Sequence, residues 1–130
     1  MTKLIHEDTS YEIIGALFEV HNELGPGHKE KYYQKALYKQ LQERGLEVKE
    51  QVRQKIKIND EMIGHYVADF IINDKVVLEI KPNSRFSRHD YKQAQAYLQT
   101  FNLQLAILAT FGHTEVLYQR VLNPNNLIHP

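Results

Sequence analysis

The chain has 130 residues, of which 42% are apolar and 25% are charged, the size and composition of one soluble globular domain. It contains no cysteine, which excludes disulfides, thiolate metal sites and cysteine nucleophiles and agrees with a reducing compartment. Its 16 basic and 16 acidic residues cancel, which disfavours an architectural DNA-binding protein, because that class usually carries a basic excess.

The start of the sequence lacks the long apolar run of a signal peptide, and no stretch approaches the ~20 apolar residues of a membrane span. We therefore expect a cytoplasmic protein with no membrane partner. No internal repeat, low-complexity segment or linker divides the chain. We expect a single domain over residues 1–130, with its core at about residues 8–121 and a loose tail over residues 122–130.

Two amphipathic helices are predicted in the first third of the chain. Apolar residues recur at steps of three and four over residues 9–24, with Thr9 or Ser10 available as the N-cap. The sequence Gly25-Pro26-Gly27 then ends this helix. A second helix is predicted from about Lys29 to Arg44, with Gly45 as its C-terminal cap.

The pattern then changes to a period of two. Between Val48 and Ile58 the even positions include Val48, Val52, Ile56 and Ile58, while most odd positions are basic. This alternation predicts a strand with one buried face and one basic face. Further strands are predicted at Ile63–Ile72 and Val76–Lys81, so that the three form a meander.

A third helix is predicted after the meander, opened by the S-x-x-D capping pattern of Ser87 and Asp90 and extending to about Thr100. Two short strands follow at Leu105–Ala109 and Val116–Val121. The order ααβββαββ indicates an α/β (α+β) domain in which helices flank one central mixed sheet.

Three polar residues interrupt apolar strands. Asp69 lies within Val67–Ile72, and Glu79 and Lys81 are two positions apart, so that alternation places them on one face. A buried carboxylate costs several kcal/mol unless it is paired, protonated or bound to metal. Two such carboxylates on adjacent strands, with a lysine beside them, indicate a site for a divalent cation.

The residue types explain the chemistry expected there. Mg²⁺ prefers oxygen ligands, which Asp69, Glu79 and the carbonyl of Ile80 can supply. The ion would acidify a water and polarise a phosphate, and Lys81 would orient or deprotonate that water and stabilise the developing negative charge. Glu30, on the second helix, could bind a second metal ion or an outer-shell water.

The two carboxylates meet only if the strands pair in the right register. A two-residue loop at Asn73-Asp74 would set Asp69 opposite Leu78 and leave Asp69 and Glu79 on different faces. We therefore predict a three- or five-residue loop, or a bulge, that sets Asp69 opposite Glu79.

These residues resemble a known family. Asp69 followed by Glu79-Ile80-Lys81 is similar to the D…ExK core of the PD-(D/E)xK nuclease superfamily. The segment Gly27 to Tyr33 matches the G-x-x-E-x-x-Y signature of the family named GxxExxY, and Gln93 to Tyr97 resembles a Q-x-x-x-Y motif of an exonuclease-like branch. One departure is Pro82-Asn83, which follows the lysine where a small residue is expected.

The resemblance implies a restriction-endonuclease-like fold and a nuclease that uses Mg²⁺ or Mn²⁺ to hydrolyse DNA. It implies two groups of site residues. The expected metal ligands are Asp69, Glu79, Ile80 and Glu30, and the expected catalytic residues are Lys81, Glu30, Gln93 and Tyr97.

Structural alternatives remain for each residue. Asp69 and Lys81 could form a salt bridge, Glu30 could only stabilise the start of its helix, and Tyr33 and Tyr97 could be packing residues. The basic face of the first strand could be solvated surface or could guide a phosphate backbone. At the level of function, the alternative is a catalytically silent nuclease-fold module that binds nucleic acid or a protein partner. A homodimer is left open.

Overall fold

The computed structural model describes residues 4–125. The elements are α1 (Glu7–Leu24), α2 (Glu30–Glu43), β1 (Val48–Ile58), β2 (Glu61–Ile72), β3 (Val76–Ile80), α3 (Arg88–Phe101), β4 (Leu105–Phe111) and β5 (Val116–Leu122). This is the predicted order ααβββαββ.

The five strands form one mixed sheet in the order β1-β2-β3-β4-β5. Strands β3 and β4 are parallel and are joined through α3, while every other neighbouring pair is antiparallel. All five residues of β3 are buried, as expected for a central strand that is covered by helices on both faces.

Two hydrophobic cores lie on opposite faces of the sheet. The core under α1 and α2 includes Leu17 and Leu37 from the helices and Phe70, Leu78 and Ile107 from the sheet. The core under α3 includes Ala94 and Leu98 from that helix and Ala68, Val77 and Leu108 from the sheet. The domain is therefore a three-layer arrangement with the sheet in the middle.

The predicted single buried face of β1 is wrong. Val48 packs in the core under α1 and α2, whereas Val52 packs in the core under α3, although both positions are even. Between them Gln51 has a left-handed backbone, with φ of 48°. This residue reverses the alternation of the strand, and Ile58, at the far end, is 58% exposed.

The N-terminal end of α3 is as predicted, whereas that of α1 is not. The predicted capping box of α3 is present, because Ser87 accepts from the backbone N–H of Asp90 and Asp90 accepts from that of Ser87. Helix α1 instead begins at Glu7, after a left-handed His6 that provides no side-chain cap. Ser10, a predicted N-cap, is buried and accepts a hydrogen bond from Arg120.

Among the described residues, regular structure continues further along the chain than predicted. Strand β5 extends to Leu122, and the buried Asn123 donates to the backbone carbonyls of Leu103 and Gln104. The rest of the predicted tail, residues 126–130, lies outside the described residues. Within residues 4–125, no helix has the length and apolar character that crossing a membrane requires.

Candidate active site

The site lies where β2 and β3 separate. The two strands pair only between Phe70–Ile72 and Val76–Leu78, around a three-residue loop. The predicted three-residue loop is therefore observed, and continuing the register sets Asp69 opposite Glu79. No ladder pair forms there. Instead, Oδ2 of Asp69 accepts the backbone N–H of Ile80 at 2.8 Å.

Glu79 is the buried acid of the site. It is only 5% exposed, on the face of the sheet that α3 covers. Burial, followed by the neighbouring Asp69 charge, raises the pKa of Glu79 to about 9, and Lys81 opposes this shift. Its Oε1 is the one buried side-chain oxygen or nitrogen within residues 4–125 that has no hydrogen-bond partner. A buried acceptor without a partner is costly, which makes it a natural ligand position.

Helix α3 provides the other wall of the site. Nζ of Lys81 donates to Oε1 of Gln93 at 2.5 Å, which fixes the ammonium group near Glu79. Tyr97 lies one turn beyond Gln93 on the same helical face and is 8% exposed. Burial first, and then the charges of Glu79 and Asp69, raise the pKa of Tyr97 to about 12. Gln93 and Tyr97 therefore both face the acidic pair.

Glu30 approaches from the opposite wall, at the first position of α2. It lines a cleft of about 140 Å³ together with Ile80 and Lys81. Partial burial and the Asp69 charge raise the pKa of Glu30, and Lys81 lowers it. Its side chain is exposed, so Glu30 lies at the rim of the site and not in its buried interior.

Tyr33, the last residue of the G-x-x-E-x-x-Y segment, supports the loop before α2. Its hydroxyl donates to the carbonyl of Gly25 at 2.6 Å, and its ring stacks on Phe111 at 4.5 Å between centroids. Gly27 in that loop has φ of 89°, a conformation that favours glycine. Tyr33 is therefore a packing residue that fixes the turn from which Glu30 extends.

The predicted site residues thus gather around the end of β3. Glu79 and Tyr97 are buried, Asp69, Lys81 and Gln93 are half-buried, and Glu30 lies at the rim of the cleft. Within residues 4–125, however, no three His, Asp or Glu side chains are close enough together to form a metal-ligand cluster. Glu30 does not complete a set of three carboxylates. Two carboxylates fit Mg²⁺, which keeps several waters and commonly takes one or two carboxylates from a protein.

Sequence reasoning missed several neighbours of the site. Tyr66 packs against Tyr97 with 4.6 Å between ring centroids, and Gln51 donates to Gln34 of α2 at 3.3 Å beside Asp69. Of these two neighbours, only Tyr66 has a sequence feature, its aromatic ring, that could have indicated a place in the site. At the Pro82-Asn83 departure, Pro82 lines the cleft, and Thr110 donates to the backbone carbonyl of Asn83 at 2.7 Å.

The sequence matches a known protein family, and the fold is similar to that of a solved structure. A family model of the PD-(D/E)XK nuclease superfamily matches residues 7–121. The solved structure of an alkaline exonuclease from Laribacter hongkongensis has a similar fold, with 15% identity, a TM-score of 0.54, and coverage of 98% of this chain and 75% of that one. The structure of the protein SSO0001 aligns at 15% identity with a TM-score of 0.49, covering 89% of this chain and 77% of that one.

No curated protein matches the sequence significantly. The family match, however, covers most of the sequence and includes Glu30, Asp69, Glu79, Lys81, Gln93 and Tyr97. This chain belongs to the PD-(D/E)XK nuclease superfamily.

Proposed function

We propose that the protein is a nuclease that hydrolyses DNA phosphodiester bonds with Mg²⁺ or Mn²⁺, and that it belongs to the GxxExxY branch of its superfamily. The observation that carries the proposal is the buried Glu79, whose Oε1 lacks a partner beside Asp69. A structural carboxylate would be expected to have its hydrogen bonds satisfied. In a metal ligand, by contrast, an oxygen without a partner in the free protein is the one that the cation would bind.

Asp69, Glu79 and the backbone carbonyl of Ile80 would hold the divalent ion. Glu30 would contribute at the rim, to a second ion or to a water. When bound, such an ion lowers the pKa of water and polarises the phosphate. Two adjacent carboxylates repel each other, and in the free protein Glu79 stays protonated near neutral pH, which avoids this repulsion. A bound cation would remove the repulsion with both groups ionised.

Lys81 and Gln93 would act on the reacting groups. The Gln93 amide oxygen accepts from the Lys81 ammonium, so that the charge has a defined position before a substrate arrives. From there Nζ can donate to the phosphoryl oxygens as negative charge develops on them, or can orient the attacking water. Tyr97 closes the same side and excludes water from Glu79.

DNA is the proposed substrate for two reasons. Nucleases of this superfamily act on nucleic acid, and the structural neighbour from Laribacter hongkongensis is an alkaline exonuclease. In addition, the loop after Lys81 and the first turns of α3 carry the exposed basic residues Arg85, Arg88 and Lys92, which could contact phosphates.

The silent-module alternative is favoured by one observation, the lack of a third clustered metal ligand among residues 4–125. The acidic pair and the Lys81–Gln93 hydrogen bond favour the nuclease, because a binding module has no need for either. We therefore retain the nuclease as the proposed function.

The test is cleavage of plasmid and linear DNA by the pure protein, with Mg²⁺, with Mn²⁺ and with chelator. Wild type should cut only when metal is present, and the Asp69→Asn variant, purified in parallel, should not. Contaminating nucleases would appear equally in both preparations. Equal activity in the two, or none from wild type with either metal, would overturn the catalytic proposal.

A further inference from the structure

The outer half of the β1–β2 hairpin has no structural role that accounts for its length. Strand β3 pairs with β2 only at Phe70–Ile72, so the hairpin beyond that point is a two-stranded ribbon. We call residues 53–65 the arm. Every residue of the arm is exposed except the half-buried Ile56 and Gly64. An isolated two-stranded ribbon is marginally stable, and neither core extends to its end.

One face of the arm carries a row of basic residues from β1. Because Val52 and Tyr66 pack in the core under α3, alternation directs Arg53 and Lys55 to the opposite face, the side of α2. The register shifts after Ile56, but the extra residue, Ile63, lies on β2, so Lys57 continues the row on β1. Their cross-strand partners are Val67, His65 and Met62. The ion pairs recorded within residues 4–125 are Arg44–Glu12 and Lys49–Asp74, and neither neutralises this face.

The basic face leads back to the cleft. Gln51, at the base of the arm, is bonded to Gln34, which lies one helical turn after Glu30 on the same face of α2. Gln51 also lies opposite Asp69 in the register of β1 and β2. A phosphate backbone that followed Lys57, Lys55 and Arg53 would therefore arrive at the rim of the proposed active site.

The end of the arm is narrow and apolar. Asn59 and Asp60 both have left-handed backbones, with φ of 51° and 65°, which make a tight two-residue turn. Beside this turn Ile58, Met62 and Ile63 are 58%, 57% and 59% exposed. Together these three residues are the arm's apolar tip.

We propose that the arm binds double-stranded DNA, with its basic face on the phosphate backbone and its tip in the major groove. The major groove admits a two-stranded ribbon, and apolar side chains can contact the methyl groups of thymine there. Because the face is positively charged, it favours a polyanion as its partner over a second copy of this chain, whose net charge is zero. This inference rests on the proposed function, to which it adds the form of the substrate.

The first test removes charge from the basic face. In chelator, binding of a labelled duplex is titrated over a range of salt for Lys55→Gln/Lys57→Gln and for the control Lys49→Gln/Lys75→Gln, which loses equal charge at the other end of the hairpin. With ~0.9 counterions released per phosphate contact, the arm variant should lower the salt slope by about 1.8 and weaken binding at about 0.1 M salt at least tenfold. Equal slopes in the two variants would overturn the proposal.

The second test concerns the apolar tip. Ile58→Ser/Met62→Ser should weaken duplex binding several-fold without changing the salt slope, because no phosphate contact is lost, and should weaken single-strand binding less. The control is Leu117→Ser/Leu122→Ser, which removes exposed apolar residues from β5. An equal loss of affinity for duplex and for single-stranded DNA would contradict the proposed position of the tip in the major groove. A wild-type dimer that the tip variant dissociates would show that the tip binds a second copy instead.

Cleavage assays on the same variants keep the two proposals apart. If wild type cuts DNA and the arm variants bind and cut as wild type does, the arm proposal fails and the nuclease stands. If wild type binds duplex through the arm but never cuts, the nuclease fails and the arm stands.

Discussion

Oδ2 of Asp69 accepts the backbone N–H of Ile80 at 2.8 Å, at the point where β2 and β3 stop pairing. In a continuous ladder that N–H group would bond to backbone. Here the carboxylate of Asp69 accepts it in place of a backbone carbonyl, which fixes Asp69 against the neighbouring strand. Glu30 and Lys81 line the cleft at this point, and Glu79 lies beneath it, only 5% exposed. One hydrogen bond thus positions a proposed metal ligand where the two strands stop pairing.

The first prediction follows from the protonation of Glu79. Its pKa is raised from 4.5 to about 9 in the folded protein, so the folded state retains a proton that the unfolded state loses. This contribution to stability is fully present below pH 4.5 and is lost progressively as pH rises towards 9. In chelator, the melting temperature of wild type should therefore fall across this range relative to that of Glu79→Gln, which cannot ionise. Parallel pH profiles for the two proteins would contradict the buried, protonated acid.

The second prediction concerns metal binding. An ion must displace the proton of Glu79, so the affinity for Mg²⁺ or Mn²⁺ should rise with pH towards about 9. Millimolar metal should raise the melting temperature according to RT ln(1 + [L]/Kd), and more at alkaline than at neutral pH. Asp69→Asn should abolish the increment while leaving the metal-free protein at least as stable. An unchanged increment in Asp69→Asn would place the ion elsewhere.

Local patterns in the sequence predicted most of the elements, because each depends on neighbours in the chain. The capping box at Ser87 and Asp90 and the order of elements are examples. The register of Asp69 opposite Glu79 was predictable too, since only one loop parity brings two acids of adjacent strands to one place.

The rest depends on contacts between distant residues or on rare backbone conformations. A glutamine at position 51 gives no signal of a left-handed residue, so the reversal of β1 could not be predicted. The supporting role of Tyr33 depends on Phe111 of β4, far along the chain. The rim position of Glu30 follows from how α2 packs on the sheet, which periodicity does not determine.

The third prediction uses the unusual backbone of Gln51. A left-handed conformation costs a non-glycine residue ~1–2 kcal/mol, whereas glycine adopts it freely. Gln51→Gly should therefore raise the free energy of unfolding by about 1 kcal/mol in denaturant titrations. The loss of the hydrogen bond to Gln34 reduces this gain. Gln54→Gly is the matched control and should destabilise, because Gln54 lies in the regular ladder opposite Tyr66. The same sign for both substitutions would rule out the reversal at Gln51.

The fourth prediction separates support from chemistry in the G-x-x-E-x-x-Y segment. Tyr33→Phe removes the donor to the carbonyl of Gly25 and should cost about 1–3 kcal/mol of stability. Its cleavage rate per folded molecule should change little. Glu30→Gln should leave the stability nearly unchanged and lower the cleavage rate, because the side chain is exposed and lines the cleft. A loss of activity in folded Tyr33→Phe that matches that of Glu30→Gln would assign the tyrosine to the reaction.

The last prediction concerns Lys81 and its partner. Lys81→Ala should lower the cleavage rate by orders of magnitude while duplex affinity changes little, because its proposed interaction with the phosphoryl oxygens strengthens in the transition state. Gln93→Ala leaves the ammonium but removes its fixed position, so its rate should be intermediate. Lys81 also lowers the pKa of Glu79 and would repel a bound cation, so Lys81→Ala changes the metal affinity, and rates must be compared at saturating metal. If added metal restored the full rate of Lys81→Ala, the lysine would serve only to tune Glu79, and the role proposed for it in the reaction would be wrong.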